Sequence, residues 1–289
     1  MFSFFAQDIK PIIRNFSPAY LLDKNAQEKI KTEGYAILEN IYTDTELNNI
    51  NSFYNEIKLH NGFNVKTKFE SSGNFISIEL QNRIFKYIEQ FMQKTASRFA
   101  NLNNCEVGDG GAFFIKPNTN ESRLEPHQDS TVIDEMKTYA LFIWIPLVDI
   151  DNNNGALYVL PKSHLWGNCY RSQHIKWAFK KCYKELWKYM HPLYLKKGSL
   201  VVFDSSIIHA SEINKSKNER VALCGALLPK HHQKVEYLKF YNKILQYNVD
   251  ENYWKDGGQI KSLEKYTSTI IECNFPKSVN IRQLQKLLK

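Results

Sequence analysis

Apolar residues in the first 110 positions recur mostly at helical spacing. The clearest case is residues 79–103, where Leu80, Ile84 and Ile88 repeat every four positions. Side chains with this spacing share one face of a helix, and such a face is usually buried. We therefore predict a long amphipathic helix here, within a mostly helical N-terminal support over residues 1–110.

A second, earlier helix is indicated by its first residues. Thr43 and Glu46 have the spacing of a capping box, in which each side chain accepts a hydrogen bond from the backbone of the other residue. The helix that they open is predicted to run to about Lys58. Residues 34–38, Gly-Tyr-Ala-Ile-Leu, are predicted to form a short strand before it.

After residue 110 the pattern changes to short apolar runs, each bounded by Gly, Pro, Asn, Asp or Ser. The runs cover 112–115, 139–148, 156–160, 199–203, 207–210 and 221–228. Many short strands separated by turn residues are typical of an antiparallel sandwich, barrel or jelly roll. The predicted fold class is therefore mainly β with flanking helices.

One helical segment is predicted to interrupt these strands. Phe179, Tyr183, Leu186 and Met190 would share one face of a helix, and lysines would occupy the other face. This pattern predicts a helical insertion over about 165–192, between two strands of the core.

The chain is predicted to be a single domain over residues 1–289. No internal repeat and no Pro-rich or Ser-rich linker divides it. Within this domain, 111–229 is predicted to be the strand-rich core, and 230–289 a C-terminal extension of mixed character.

The composition is that of a globular protein. Hydrophobic residues make up 43% and charged residues 24% of the 289 positions, which excludes disordered and fibrous proteins. No run of 18 apolar residues is present, so no membrane span is predicted. The first ten residues include Asp8 and no long apolar stretch, which argues against a secretory signal. Five cysteines without a C-x-x-C pair are typical of reduced thiols, so we predict a cytoplasmic protein.

The net charge of +8 is concentrated in one region. Residues 176–243 contain 14 Lys or Arg and 5 Asp or Glu, so they carry the whole positive excess. Two interpretations are open: the region steers an anionic partner to one face, or it is a solvated helix face with scattered surface lysines. The chain has no Gly-aromatic motif of the kind found in RNA-binding domains, so no nucleic-acid partner is expected.

Candidate chemistry begins at His127-Gln128-Asp129. On a strand, His127 and Asp129 point to the same face and can reach one metal ion. A lone His-x-Asp match is a weak signal, but His209 follows a second apolar strand and supplies a third candidate ligand. Two imidazoles and one carboxylate form the facial triad of non-haem Fe(II) oxygenases, which leaves coordination positions open.

An anion-binding group follows the third candidate ligand. Arg220 lies 11 residues after His209, and we predict a hairpin from a strand at 207–213 to one at 219–228. Such a hairpin returns Arg220 to the metal site, where its guanidinium can bind a carboxylate through two hydrogen bonds. Ser211 shares a face with His209 and offers a hydroxyl donor.

Four groups of motifs occur in order between residues 33 and 229. They are Glu33-Gly34-Tyr35 with the helix start at 43–47; Phe114-Ile115-Lys116-Pro117 followed by Pro126-His127-Gln128-Asp129; Trp144 followed by Asn154-Gly155-Ala156 and Pro161-Lys162-Ser163-His164; and Lys197-Gly198-Ser199 followed by His209, Asn214 and Arg220. Together they resemble the phytanoyl-CoA dioxygenase-like family of Fe(II)- and 2-oxoglutarate-dependent oxygenases. Lys162 stands where the family usually has Gly, at a turn.

The resemblance implies a double-stranded β-helix (jelly-roll) core flanked by helices. It also implies Fe(II), the cosubstrate 2-oxoglutarate and dioxygen. The implied iron ligands are His127, Asp129 and His209. The implied cosubstrate residues are Arg220, for the distal carboxylate, Ser211, which assists it, and Trp144, which lines the pocket.

Two further points follow from the resemblance. A second basic contact to the cosubstrate is expected in the N-terminal half, where Lys66 and Lys68 are candidates. Halogenases of the superfamily carry Ala or Gly in place of the metal carboxylate, whereas Asp129 occupies that position here. Hydroxylation of an unactivated C–H bond is therefore favoured over halogenation. His164 is interpreted as a structural residue of a turn.

The substrate class is left open by the sequence. The family acts on acyl-thioesters, free amino acids and small natural products, and the basic region favours an anionic or carrier-bound small molecule. An oxygenase acting on a free amino acid or natural-product intermediate is one alternative. A non-catalytic jelly-roll binding protein is another, but the complete triad and Arg220 argue against it.

Overall fold

The structure, a computed structural model, describes residues 12–167, 170–241, 243–255, 258–271 and 278–289. Its α-helices are α1 (Lys24–Glu33), α2 (Asp44–Lys58), α3 (Ile78–Thr95), α4 (Tyr183–Leu186), α5 (Glu251–Lys255) and α6 (Ile281–Leu287). Short 3-10 helices cover Ser72–Asn74, Ala96–Arg98, Ser163–Leu165, Trp187–Tyr189 and Ile260–Lys265.

The two long N-terminal helices form where the sequence predicts them. In α2 the complete capping box is present, because the side chains of Thr43 and Glu46 each accept a hydrogen bond from the other residue's backbone N–H. In α3 the side chains of Ile84 and Ile88 are fully buried. The α-helix ends at Thr95, earlier than predicted, and continues as a 3-10 turn.

All six predicted apolar runs contain a strand. The strands are β1 (Tyr35–Leu38), β2 (Glu70–Ser71), β3 (Cys105–Val107), β4 (Ala112–Lys116), β5 (Leu124–His127), β6 (Leu141–Pro146), β7 (Leu157–Val159), β8 (His191–Leu193), β9 (Leu200–Asp204), β10 (His209–Ser211), β11 (Arg220–Pro229), β12 (Val235–Phe240), β13 (Lys243–Asn248) and β14 (Ser268–Ile271). The mainly β fold class is confirmed.

Two antiparallel sheets pack face to face. The larger sheet has the order β1-β9-β6-β11-β4-β2, with β3 also paired to β11, and the smaller has the order β5-β10-β7-β8. Inward side chains such as Trp144, Val201 and Leu157 form an apolar cluster between the sheets. Helices α2 and α3 pack on the outer face of the larger sheet, whose apolar side chains belong to a second cluster. This arrangement is the predicted jelly-roll core with flanking helices.

The continuous helix predicted over 179–190 is wrong. Only α4 is α-helical, and one 3-10 turn follows it. The aromatic residues of this segment have separate partners around the smaller sheet: the indole N–H of Trp177 donates to Gln128 (2.9 Å) and that of Trp187 donates to Glu125 (2.8 Å). These hydrogen bonds to residues distant in the chain, and not the local apolar spacing, determine the conformation of the segment.

The C-terminal residues form a third sheet that the sequence did not predict. Its strands follow the order β12-β13-β14. Tyr237 and Ile244 of this sheet pack against Ile175 of the segment before α4. Cys105, Cys182 and Cys224 carry free thiols, whereas residues 169 and 273 lie outside the described ranges. No helix within those ranges combines the length and the hydropathy that a membrane crossing requires.

Candidate metal centre and cosubstrate pocket

Three candidate metal ligands converge on the smaller sheet. His127 ends β5 and His209 begins β10, and the two residues are directly paired across these strands. Asp129 follows β5 and approaches both rings, with 3.6 Å from its Oδ1 to His127 Nε2 and 3.5 Å from its Oδ2 to His209 Nε2. The ligand atoms of the three residues all lie within 4.8 Å of one another. The donor set and its spacing fit a facial triad around one metal ion.

The same local hydrogen bond orients both imidazoles. His127 Nδ1 donates to the carbonyl of Glu125 (2.8 Å), and His209 Nδ1 donates to the carbonyl of Ile207 (3.1 Å). In each case the acceptor lies two residues earlier in the chain. A proton held on Nδ1 leaves the Nε2 lone pair free and aimed at the shared centre, which is the arrangement of a metal-binding histidine.

Electrostatics favour the cation-binding protonation state at Asp129 and His209, but not at His127. Burial opposes ionisation of Asp129, but His209, His127 and Arg171 hold the pKa of its carboxyl well below its ordinary value. Burial and the neighbouring His127 lower the pKa of His209 to about 4. Burial also acts against the charged form of His127, yet its contact with Asp129 raises the pKa of this ring. At neutral pH the site therefore holds an ionised carboxylate and a neutral His209.

A buried ion pair supports the chain around Asp129. Arg171 binds Glu135 through both ends of its guanidinium, at 2.5 and 2.7 Å, and its Nε donates to the backbone carbonyl of Asp129 at 2.8 Å. The same guanidinium donates to the carbonyl of Ser205 (3.2 Å), whose hydroxyl donates to Glu135 (2.6 Å). The segment that carries Asp129 is thus joined to the turn that precedes His209.

Arg220 reaches the space between the sheets by a route different from the predicted one. The predicted hairpin is wrong, because β10 belongs to the smaller sheet and β11 to the larger. Arg220, the first residue of β11, projects from the opposite sheet and is 2% exposed. Its guanidinium carbon lies 5.2 Å from the ring centre of Trp144, and its Nη2 donates to the carbonyl of Gly155 (3.2 Å).

Polar atoms around Arg220 lack partners despite their burial. Within the described residues, Nε and Nη1 of Arg220 and Oγ of Ser211 have no hydrogen-bond partner. Native proteins rarely leave such groups unsatisfied, and a carboxylate can accept hydrogen bonds from a guanidinium and from a hydroxyl. The structure therefore buries Arg220, Ser211 and Trp144 in the interior between the sheets, with the hydrogen-bonding capacity that a carboxylate needs.

A buried lysine beside Arg220 was missed by the sequence reasoning. Lys116 is paired with Arg220 across β4 and β11 and is fully buried. Its Nζ donates to the carbonyls of Glu212 (2.7 Å), Ser211 (3.4 Å) and Ser122. Burial, and then the charge of Arg220, lower the pKa of Lys116 to about 6. Gly155 makes room for this lysine, since a Cβ there would lie 2.3 Å from Lys116 Cδ.

Other residues singled out from the sequence lie apart from the triad. Lys66 and Lys68, the candidates for a second cosubstrate contact, are exposed. His164 is buried and its Nε2 donates to the carbonyl of Lys31 (3.1 Å), in line with a structural role. Lys162, at the position where Gly was expected, adopts a left-handed conformation with φ of 66°.

Comparison with known proteins identifies the family. A family model described as phytanoyl-CoA dioxygenase matches residues 30–222. The phytanoyl-CoA dioxygenase domain-containing protein 1 homolog of Dictyostelium discoideum is 31% identical over 123 residues, which cover 39% of this chain and 43% of that protein. The match thus spans less than half of the length of that relative.

Solved structures share the fold at low sequence identity. The carbocyclase SnoK from nogalamycin biosynthesis is 17% identical, with a TM-score of 0.53 over 74% of this chain and 86% of its own. EctD from S. alaskensis, crystallised with 2-oxoglutarate and 5-hydroxyectoine, is 14% identical, with a TM-score of 0.54 over 79% of this chain and 85% of its own. EvdO2 from Micromonospora carbonacea var. aurantiaca is 17% identical, with a TM-score of 0.53 over 75% of this chain and 93% of its own.

The family model covers more than half of the chain and includes both strands that carry the triad. The resemblance seen in the sequence motifs is confirmed. The chain belongs to the phytanoyl-CoA dioxygenase family, whose cofactors are Fe(II), 2-oxoglutarate and dioxygen.

Proposed function

We propose that the protein is a 2-oxoglutarate-dependent hydroxylase that acts on an unactivated C–H bond of a small molecule. His127, Asp129 and His209 hold Fe(II) in this proposal. Their convergence from two paired strands and one loop supports this role, as do the two Nδ1 hydrogen bonds that free the Nε2 atoms. Three ligands leave positions of the ion open for the cosubstrate and dioxygen.

Arg220 binds the distal carboxylate of 2-oxoglutarate in this proposal, assisted by Ser211. The single observation that carries the proposal is the set of buried atoms without a hydrogen-bond partner on these two residues. Ser211 lies on β10, two residues after His209, and Arg220 begins β11. Trp144 packs against the guanidinium and lines the pocket. Lys116 holds the carbonyls of Ser211 and Glu212 and so keeps the end of β10 in place.

The metal and cosubstrate together supply the oxidising chemistry: 2-oxoglutarate, dioxygen and a C–H bond yield succinate, carbon dioxide and a C–OH group. The tasks of the protein are to hold the reactants together and to exclude water. Burial of Arg220 removes its charge from solvent, which strengthens its interaction with a carboxylate.

The substrate is proposed to be a small molecule with an anionic or carrier-bound part outside the barrel. The support is the row of lysines over residues 176–197, all of which are exposed. Lys188, Lys196 and Lys197 form ion pairs with nearby carboxylates, whereas the other lysines of the row form none with the described residues.

The direct test is succinate release from 2-oxoglutarate under air, with added Fe(II) and pools of candidate substrates. We expect turnover that rises in the presence of substrate and a product that is one oxygen atom heavier. His209→Ala should abolish release, whereas His164→Ala, a change of a buried histidine outside the triad, should retain it. Succinate release by His209→Ala at the wild-type rate would contradict the proposal, and a product without the added oxygen would exclude hydroxylation.

A further inference from the structure

We propose that the part of the substrate that reaches the metal is uncharged and apolar, and that it occupies a cavity lined by aromatic residues at one end of the barrel. This inference rests on the proposed function, because it assigns Asp129 to the metal. It concerns the reacting group only and leaves the rest of the substrate outside the cavity.

The cavity has a volume of about 370 Å³ and includes Asp129 in its wall. This size is within the usual range for small-molecule sites, which is roughly 300–1,000 Å³. Its walls are built by Phe114, Phe142 and Phe203. Phe142 and Phe203 are paired across β6 and β9, with their ring centres 5.9 Å apart and nearly perpendicular.

Strand register places this cavity away from the proposed cosubstrate pocket. Along β11, alternate residues face the interior, so Arg220, Cys224 and Ala226 follow one another on one face. Arg220 pairs with Lys116 at one end of this row, whereas Ala226 pairs with Phe142 towards the other end. The side chains that face the interior are therefore basic at the Arg220 end of β11 and aromatic near Ala226. Cys224 and Ala226 also line the cavity, and their small side chains leave it wide.

The lining of the cavity favours an uncharged reacting group. Among the described residues that line the cavity, only Asp109 and Asp129 are charged. Asp129 is the proposed metal ligand, and Asp109 forms an ion pair with Lys234. An anion placed here would find no cationic side chain in the described wall, and only the metal could pair with it. An anionic group held against the aromatic wall, away from the metal, is therefore disfavoured. An ammonium group would have to displace Lys234 or compete with the metal. A neutral ring or branched alkyl group has no such cost.

This cavity and the lysine row have separate roles. The lysines over 176–197 do not line the cavity. An anionic or carrier-bound part can therefore contact the surface while the neutral part reaches the metal.

The test uses three probes with one bicyclic ring and different charges: 2-indanol, indane-2-carboxylate and 2-aminoindane. Full-length protein is loaded with Mn(II) and 2-oxoglutarate, and line broadening of the probe protons by the paramagnetic ion reports binding near the metal. We expect 2-indanol to bind at least tenfold more tightly than either charged probe. Equal or tighter binding of a charged probe, or no broadening with any probe, would overturn the inference.

Two variants test whether the cavity is the source of this preference. Phe142→Lys places a cation in the wall and should shift the preference towards the carboxylate probe, whereas the same change at the exposed Phe240 should not. Ala226→Leu should weaken binding of 2-indanol by narrowing the cavity, and it keeps the test valid if Phe142→Lys does not fold. No effect of either variant would also overturn the inference.

The affinity of the Mn(II)-loaded wild-type protein for 2-oxoglutarate separates this inference from the proposed function. If 2-oxoglutarate does not bind, the proposed function itself fails. If it binds and a charged probe is preferred, only the assignment of the cavity fails.

Discussion

Each imidazole of the candidate metal centre is oriented by a backbone carbonyl from its own chain segment. Glu125 and Ile207 supply these acceptors, each two residues before the histidine that it binds. Since the acceptor is local, orientation does not depend on a distant side chain. The two rings are therefore held by the chain itself in the orientation that the proposed metal site requires.

At the residue scale, the first prediction concerns metal binding. His209→Ala removes one of three ligands and should reduce Fe(II) bound per chain from about one to near zero at micromolar metal, as measured anaerobically by metal analysis after gel filtration. His164→Ala is the matched control, because His164 is also buried and its imidazole donates to the backbone carbonyl of Lys31. Full iron occupancy in His209→Ala would contradict the assignment.

The second prediction concerns the cosubstrate. Arg220→Met leaves the distal carboxylate without its partner, which costs about 3–5 kcal/mol for a desolvated charge pair. The dissociation constant for 2-oxoglutarate, measured by anaerobic calorimetry on metal-loaded protein, should rise at least 100-fold. Arg123→Met, a change to a partly exposed arginine that pairs with Glu212, should alter it little. An unchanged constant in Arg220→Met would place the anion site elsewhere.

The sequence predicts the candidate triad and the candidate carboxylate-binding Arg220 but not the residues that support them. His127 and Asp129 were singled out because residues two apart on a strand share a face; in the structure β5 ends at His127 and Asp129 follows it. Lys116 could have been noticed in the sequence, because it is a charged residue at the end of an otherwise apolar strand, β4. Arg171 and Glu135 gave no such signal, because both lie in loops without periodicity and meet only in the folded chain.

At the element scale, the ion pair of Arg171 and Glu135 joins two segments that carry candidate metal ligands. Both side chains are almost fully buried, and between them they bind the backbone of Asp129 and of Ser205. Arg171 belongs to the irregular segment between β7 and β8. That segment therefore helps to fix the position of Asp129 as well as covering part of the smaller sheet.

The third prediction tests this positioning role. Arg171→Lys removes the planar donor set that contacts Asp129, Ser205 and Glu135 together, so the dissociation constant for Mn(II) should rise by about 10- to 100-fold. The change can be followed by electron paramagnetic resonance. Arg14→Lys alters another buried ion pair, with Asp204, and should lower the melting temperature without a comparable change in metal affinity. Equal metal affinity in wild type and Arg171→Lys would assign Arg171 a purely structural role.

Two element-scale predictions were wrong for a shared reason. The helix over 179–190 and the hairpin from β10 to β11 were both inferred from local pattern alone. In the structure, Trp177 and Trp187 bind residues of the segment around β5, and β11 crosses to the opposite sheet. Contacts between residues distant in the chain decide both features, and local periodicity does not contain them.

At the scale of the whole molecule, the alternation of short strands predicted a mainly β fold and left sandwich, barrel and jelly roll open, whereas the family resemblance implied the jelly roll. Each sheet buries one face in the interior, so each of its strands needs apolar residues and appears in the sequence as a short apolar run. The third sheet was not predicted, because β12 to β14 mix charged and apolar residues, and one of them, β14, is largely exposed. Its packing on Ile175 arises from tertiary contact.

The fourth prediction concerns the surface charge of the lysine row. Changing Lys180, Lys184 and Lys188 to Glu should raise KM for an anionic or carrier-bound substrate at least tenfold at low salt. The defect should shrink at higher ionic strength, because charges are screened beyond about 8 Å at 0.15 M. Substrate-independent turnover of 2-oxoglutarate is the internal reference.

The matched control for that variant is Lys24, Lys29 and Lys86 changed to Glu, which are exposed lysines on the helical side of the molecule. The control should leave KM unchanged. Equal KM values in both triple variants and the wild type, at low and high salt, would show that the lysine row is only a solvated surface.

The positions of the metal and the cosubstrate are the basis of the proposed function. An anaerobic crystal structure with Fe(II) and 2-oxoglutarate measures both positions in one experiment. We expect a metal bonded to Nε2 of His127, to the carboxylate of Asp129 and to Nε2 of His209, with the distal carboxylate of 2-oxoglutarate on Arg220 and Ser211. A metal bound without any one of the three ligands, or a distal carboxylate held by residues other than Arg220, would contradict the proposed function.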